Sequence, residues 1–154
     1  MLSDLIQLNI FAFFMIFARV GSVFMLMPGI GSGYVPMNIR LAIALAVCFI
    51  VTPFLAAVIP GIPGSEIELM LLLFSEIVIG VFIGLIGRIT VGALQTAGTL
   101  IALFSSLANA MIRDPIAEQQ SSLIATFLSL LGTVLIIIAD LHHLMIRGVL
   151  ESYS

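Results

Sequence analysis

The longest apolar run of the chain is too long for one membrane crossing. It covers residues 69–112, and only Glu76 and Arg88 within these 44 residues are charged. As one helix the run would be about 66 Å long, whereas the hydrocarbon core of a bilayer is about 30 Å thick. The run must therefore form either two helices or one long helix that leaves the bilayer.

The composition of the whole chain is that of an integral membrane protein. Of the 154 residues, 62% are hydrophobic and 8% are charged, against about 25% charged residues in a typical soluble domain. Three further apolar runs, over residues 5–27, 41–59 and 123–139, are candidates for membrane segments. We predict an all-α, polytopic membrane protein of about four to five hydrophobic helices or hairpins, with residues 1–154 as a single helical domain.

A polar break separates the long run from the apolar run that follows it. Residues 109–122 read NAMIRDPIAEQQSS and contain the helix-breaking pair Asp114-Pro115. Irregular backbone of this kind is not tolerated against lipid, because its polar groups would have no hydrogen-bond partners. The break is expected to lie in water, in protein, or along a pore.

A stripe of small and polar residues leads into this break. Its members recur at alternating steps of four and three, which places them on one face of a helix with a 3.5-residue repeat: Arg88, Gly92, Gln95, Thr99, Ala102, Ser106, Asn109 and Arg113. Small and polar residues line ordinary seams between membrane helices. The stripe is therefore either such a seam or a face exposed to water or to a pore.

Arg19 and Glu76 each lie inside an apolar run and outside the polar stripe. Buried charges in membrane segments usually face protein or a water-filled cavity. Arg19 either does so or extends its head group to the nearer interface. For Glu76 we expect an arginine partner in this chain or in a partner chain, and the alternative is a role in proton handling.

The chain offers little to nucleic acid, to a metal or to catalysis. Its formal net charge is -3 and it contains no lysine, so it has no basic patch for nucleic acid. Adjacent residues on a helix point about 100° apart, so His142 and His143 are expected to form a polar cap rather than a metal site, with Asp140 as a neighbour. No phosphate loop, nucleophile elbow or metal-binding helix motif is present. We predict no enzyme, no catalytic residue, no metal and no cofactor.

Five blocks of the sequence, in the same order, resemble the FliR family of flagellar and virulence type III secretion export-gate proteins. They are ARVGSVFMLMPGIGSGYVPMNIRLAIALAV, SEIVIGVFIGLIGR, LQTAGTLIA, DPIAEQQSSLI and DLHHLMIRGVLES. The resemblance implies a structural and gating subunit without catalysis, in the bacterial inner membrane at the base of a flagellum or an injectisome. Its implied partners are FliP-like and FliQ-like subunits, membrane lipid and unfolded export substrates, with a FlhB-like switch protein as a further candidate.

The resemblance also implies a plug inside the closed channel. In the family the plug is the loop between the middle helices, which corresponds here to residues 104–120. The implied plug residues are Phe104, Ser106, Asn109, Met111, Arg113, Asp114, Pro115, Glu118 and Gln119. The polar helix stripe of Arg88, Gln95 and Thr99 leads into it.

Family members are expected to be substantially longer, with further membrane helices after the segment that matches residues 140–152. Two other interpretations remain beside the gate subunit. One is a self-contained small transporter or channel that uses Glu76, Arg88 and Arg113 as pathway charges. The other is a non-functional remnant of a longer gate protein.

Overall fold

A computed structural model of the protein describes residues 2–31, 33, 35–105, 111–113 and 120–153, and their side chains over 9–31, 33, 35–105 and 122–153. Within these residues the elements are α1 (Leu2–Leu26), α2 (Met37–Leu55), α3 (Glu66–Phe104), β1 (Met111–Arg113), β2 (Gln120–Ser122), α4 (Leu123–Ile138) and α5 (Leu141–Glu151). Three of these helices (α1, α2 and α3) are long and apolar enough to cross a membrane, and α4 with α5 forms a fourth candidate if the bent pair counts as one span. The predicted all-α polytopic architecture is confirmed.

The long apolar run forms one continuous helix. α3 contains 39 residues, which corresponds to a length of about 58 Å. Of the two alternatives, the structure therefore has the long helix that exceeds the bilayer. Ser65 and Glu68 have the three-residue spacing that predicts a capping box at the start of a helix. The structure has this cap, in which the Ser65 side chain accepts a hydrogen bond of 3.2 Å from the backbone N–H of Glu68.

The end of α3 differs from the prediction. The stripe pattern predicts helix as far as Arg113, but α3 ends at Phe104, and Arg113 lies in β1. β1 pairs with β2 in antiparallel register, with Met111 opposite Ser122. A helix through Arg113 is therefore wrong, because the backbone there takes its hydrogen bonds from a returning strand. The helical part of the stripe stops at Ala102, and Asp114-Pro115 lies outside the described residues.

α1 packs along the first half of α3, and the two helices run in the same direction. A Cβ atom on Gly80 would lie 2.9 Å from Ser22 Cβ, and one on Gly84 would lie 2.7 Å from Leu26 Cβ. Only glycine at these positions allows the two helices to approach this closely.

α4 packs in the opposite direction along the second half of α3. Gly98 lies against the backbone of Ala125, and Gly132 lies against the side chain of Leu94. The Ser122 side chain caps α4 by accepting a hydrogen bond of 3.1 Å from the backbone N–H of Ala125. α3 is therefore a shared support, with α1 on its first half and α4 on its second.

The buried core lies where α1, α2 and α5 meet. Its members are apolar side chains that are at least 96% buried: Ile16, Val20, Val23, Phe24, Met27, Ala44, Cys48 and Val149. α5 reaches this core because the chain bends by 67° between α4 and α5. The bend occurs at Asp140, whose φ of 55° lies in the left-handed region.

Candidate functional site: a buried ion pair and an outward polar stripe

Arg19 and Glu76 meet in the interior of the chain. Arg19 is 5% exposed and Glu76 is 8% exposed. Arg19 Nε donates to Glu76 Oε2 at 2.6 Å, and Arg19 Nη2 donates to Glu76 Oε1 at 2.9 Å. This is the two-pronged geometry in which a guanidinium matches a carboxylate best.

The last residues of the described chain complete the surroundings of Arg19. Nη1 of Arg19 donates to the backbone carbonyl of Ser152 at 2.8 Å and to its hydroxyl oxygen at 2.9 Å. The Tyr153 ring lies 3.7 Å from the guanidinium carbon, in cation–π contact. The cluster of Arg19, Glu76, Ser152 and Tyr153, called here the arginine cluster, therefore joins α1 and α3 to the end of α5.

The arginine cluster shows where the side chain of Arg19 lies and which residue is the partner of Glu76. Arg19 faces protein and does not extend to an interface, and the partner of Glu76 is an arginine of the same chain. A carboxylate with both oxygens bound to a guanidinium is poorly placed to relay protons. Burial, together with the charge of Glu76, raises the pKa of Tyr153, so the phenol stays neutral at physiological pH.

No pattern in the sequence indicates that Ser152 and Tyr153 lie beside Arg19. They lie more than 130 positions from Arg19, and the backbone carbonyl that accepts one of its hydrogen bonds is present in every residue type. What brings them to Arg19 is the bend at Asp140 and the packing of Val149 in the core.

Within the described residues, the polar stripe is not the seam along which α1 and α4 pack on α3. Arg88 and Thr99 are exposed, Gln95 is half-buried, and a Cβ on Gly92 would meet no atom within 4 Å. The seam runs through Gly80, Gly84 and Gly98 instead. Among the stripe members whose side chains the structure describes, only Ala102 is buried. In the part of the chain that the structure describes, most of the stripe faces outward.

The implied plug lies largely outside the described residues. Ser106, Asn109, Asp114, Pro115, Glu118 and Gln119 are not described, and Met111 and Arg113 are described only as backbone in β1. Phe104 is described, and its side chain is 87% exposed. The plug stays a prediction.

The chain resembles known export proteins over nearly its whole length. Residues 10–154 match the family described as bacterial export proteins, family 1. The chain is 39% identical over 140 residues to the flagellar biosynthetic protein FliR of Caulobacter vibrioides, covering 91% of this chain and 56% of that protein.

Two more distant FliR proteins match the same part of the chain. The protein of Bacillus subtilis is 30% identical over 148 residues, covering 93% of this chain and 54% of the relative. The protein of Aquifex aeolicus is 32% identical over 136 residues, covering 88% of this chain and 52% of the relative. The chain thus spans about half the length of the curated relatives it matches. With its apolar helices and its match over residues 10–154, the chain belongs to the FliR family of bacterial export proteins.

Proposed function

We propose that the chain acts as a structural and gating subunit of a bacterial protein export gate in the inner membrane, without catalysis of its own. In this proposal, FliP-like and FliQ-like subunits surround it, and unfolded substrates pass through the assembly. The family match supports an export role. The observation that carries the subunit role is the length and exposure of the hairpin formed by α3 and α4.

The charges on α3 divide it into two parts. Glu68 and Arg88 are both exposed and lie 20 positions apart, which corresponds to about 30 Å along a helix. This is the thickness of the hydrocarbon core. The segment between them suits a membrane crossing, and Arg88 then lies at the far interface.

The part of α3 beyond Arg88 lies outside the hydrocarbon core in this arrangement. It is paired with α4, and together they expose large apolar side chains: Leu100 49%, Leu103 56%, Phe127 61%, Leu131 43% and Leu135 54%. An apolar surface of this extent is not stable in water and usually marks a protein interface. Neighbouring gate subunits would cover it, and the outward polar stripe would face either those subunits or the substrate path.

Photo-crosslinking tests this arrangement. A photoreactive residue in place of Leu131, which is exposed, is expected to crosslink to a co-expressed FliP-like or FliQ-like subunit in the purified assembly. The matched control is Ile136, which lies on the same helix but is 8% exposed and should give no crosslink. Failure of the subunits to co-purify, or a crosslink from Leu131 to lipid alone, would argue against the subunit role.

A second experiment concerns the plug. We expect that deleting residues 109–119 leaves an assembled gate that leaks ions, because the implied plug is removed from the channel. A variant in which the same residues are replaced by an equally long glycine–serine linker separates loss of side chains from shortening of the loop. Ion flux across vesicles that contain the assembled gate is the measurement. A gate that carries the deletion, assembles and still does not leak ions would refute the assignment of the plug.

The self-contained transporter is the weaker proposal, because Glu76 is bound at both oxygens by Arg19 and so is a poor pathway charge. Saturable flux through the purified chain alone in liposomes would revive it.

A further inference from the structure

The bend between α4 and α5 brings together three side chains of the kind that bind transition metals. Asp140, His142 and His143 each offer one ligand atom, and the three atoms lie within 4.8 Å of one another. The sequence alone argues against such a grouping, since neighbouring helical residues point about 100° apart. In the structure the two imidazole rings lie with their centroids 4.0 Å apart, at the first turn after the bend.

We propose that Asp140, His142 and His143 form a binding site for one divalent transition-metal ion of the zinc class. Two imidazoles and a carboxylate are a common ligand set for this class of ion, with a water or a further ligand completing the tetrahedron. One of the three pairs of ligand atoms already has the required separation, and the other two lie within 4.8 Å. Ligands about 2.1 Å from a tetrahedral ion lie roughly 3.4 Å from each other, and His143 Nδ1 is 3.2 Å from Asp140 Oδ1.

The remaining adjustment is small for these side chains. Those of Asp140 and His143 are 76% and 71% exposed, so rotation about their side-chain bonds can bring their ligand atoms to bonding distance. His142 is half-buried, and its Nδ1 is buried without a hydrogen-bond partner among the described residues. Burying an imidazole nitrogen without a hydrogen bond costs free energy of folding.

The surrounding charges leave the site open to a cation. The nearest cation on α5 is Arg147, and its Nε donates to Glu151 Oε1 at 2.7 Å, one turn further along the helix. The exposed face of α5 carries Asp140, His143, Arg147 and Glu151 at steps of three and four. Such a face is unsuited to lipid, so the site lies where aqueous ions have access.

The role of the ion would be structural. Asp140 is the residue in left-handed conformation between the helices, and both histidines belong to the first turn of α5. An ion bound to all three would fix the 67° bend between α4 and α5. It would thereby hold the end of α5, with Ser152, against Arg19.

Titration of the purified full chain, without a histidine tag, with Co²⁺ tests the proposal. Co²⁺ substitutes for zinc and absorbs visible light when tetrahedral. We expect one Co²⁺ per chain, displaced by Zn²⁺, with affinity falling at least about 10–100-fold in Asp140→Asn, His142→Gln and His143→Gln. Asparagine tolerates the left-handed backbone at position 140, so Asp140→Asn should retain the fold, which circular dichroism checks.

Glu68→Gln is the matched control, because it removes an exposed carboxylate far along the chain from the cluster. It should bind Co²⁺ as the unmodified chain does. Binding that survives in all three cluster variants, or that falls equally in Glu68→Gln, would overturn the proposal, as would absence of saturable binding in the unmodified chain. None of these outcomes depends on whether the chain assembles into a gate, so the metal site and the proposed function fail separately.

Discussion

Replacing Arg19 by alanine is expected to destabilise the fold by about 3–5 kcal/mol, because the substitution leaves the Glu76 carboxylate buried without a partner. It also removes both hydrogen bonds to Ser152 and the ring contact with Tyr153. For a chain of this size the melting temperature of the detergent-solubilised protein should fall on the order of 10 °C.

A double replacement tests whether the loss of stability comes from the unpaired buried charge of Glu76. In Arg19→Met with Glu76→Leu, no charge remains buried, and apolar side chains of similar volume fill the site. Buried ion pairs replaced in this way are often as stable as the original. We therefore expect the double variant to recover much of the stability that Arg19→Ala loses.

Arg88 supplies the control for the Arg19 experiment. It lies in the same protein on an apolar helix, but its side chain is exposed and has no ion pair within the described residues. Arg88→Ala should change the melting temperature of the isolated chain little. Equal losses for Arg19→Ala and Arg88→Ala, or a double variant less stable than Arg19→Ala, would show that the arginine cluster does not hold the fold together.

The features that the sequence predicts well are those set by neighbouring residues. The cap at Ser65 depends on a residue three positions away. The nearly uncharged apolar run restricts this region to two helices or one long helix, and the structure has the long helix. For Glu76 the sequence favours an arginine partner, because a charge inside an apolar run needs compensation. For Arg19 it leaves open whether the side chain faces protein or extends to the interface.

The features that the sequence does not predict depend on distant contacts. Arg19 and Glu76 are 57 positions apart, and no sequence pattern around either residue indicates that the two form a pair. The end of α3 at Phe104 depends on β1 pairing with β2, which the helical spacing of the stripe cannot reveal. The position of the histidines depends on the left-handed backbone at Asp140.

The glycines of α3 show why a helix face cannot be assigned from spacing alone. Gly92 belongs to the polar stripe, and Gly98 lies six positions further along the same helix. Both leave room for a neighbouring helix, but within the described residues only Gly98 has one, where a Cβ would lie 2.5 Å from Ala125 Cα and 2.8 Å from its nitrogen. The sequence offers small residues on two faces, and the packing of α4 selects one.

Alanine substitutions at these two glycines should therefore have opposite effects. Gly92→Ala places its methyl group in open space and removes the backbone freedom of glycine, so it is expected to stabilise the chain by roughly 0.5–1 kcal/mol. Gly98→Ala gains the same helix preference, but its methyl group meets the backbone of α4, which must move away. We expect a net loss of about 1–3 kcal/mol, measured as a lower melting temperature.

Substitutions at these two glycines also distinguish the face of α3 that packs on α4 from the face that points outward in the assembled gate. Gly98→Ala should weaken the isolated chain, whereas Gly92→Leu should leave the isolated chain folded and reduce co-purification of FliP-like and FliQ-like subunits, if the stripe packs against them. If the Gly92→Ala variant and the Gly98→Ala variant had equally lowered melting temperatures, that result would contradict the packing of α4 on α3. A Gly92→Leu chain that is fully folded and retains its partners and a tight, conducting gate would place the stripe on a face that neither partner nor substrate contacts.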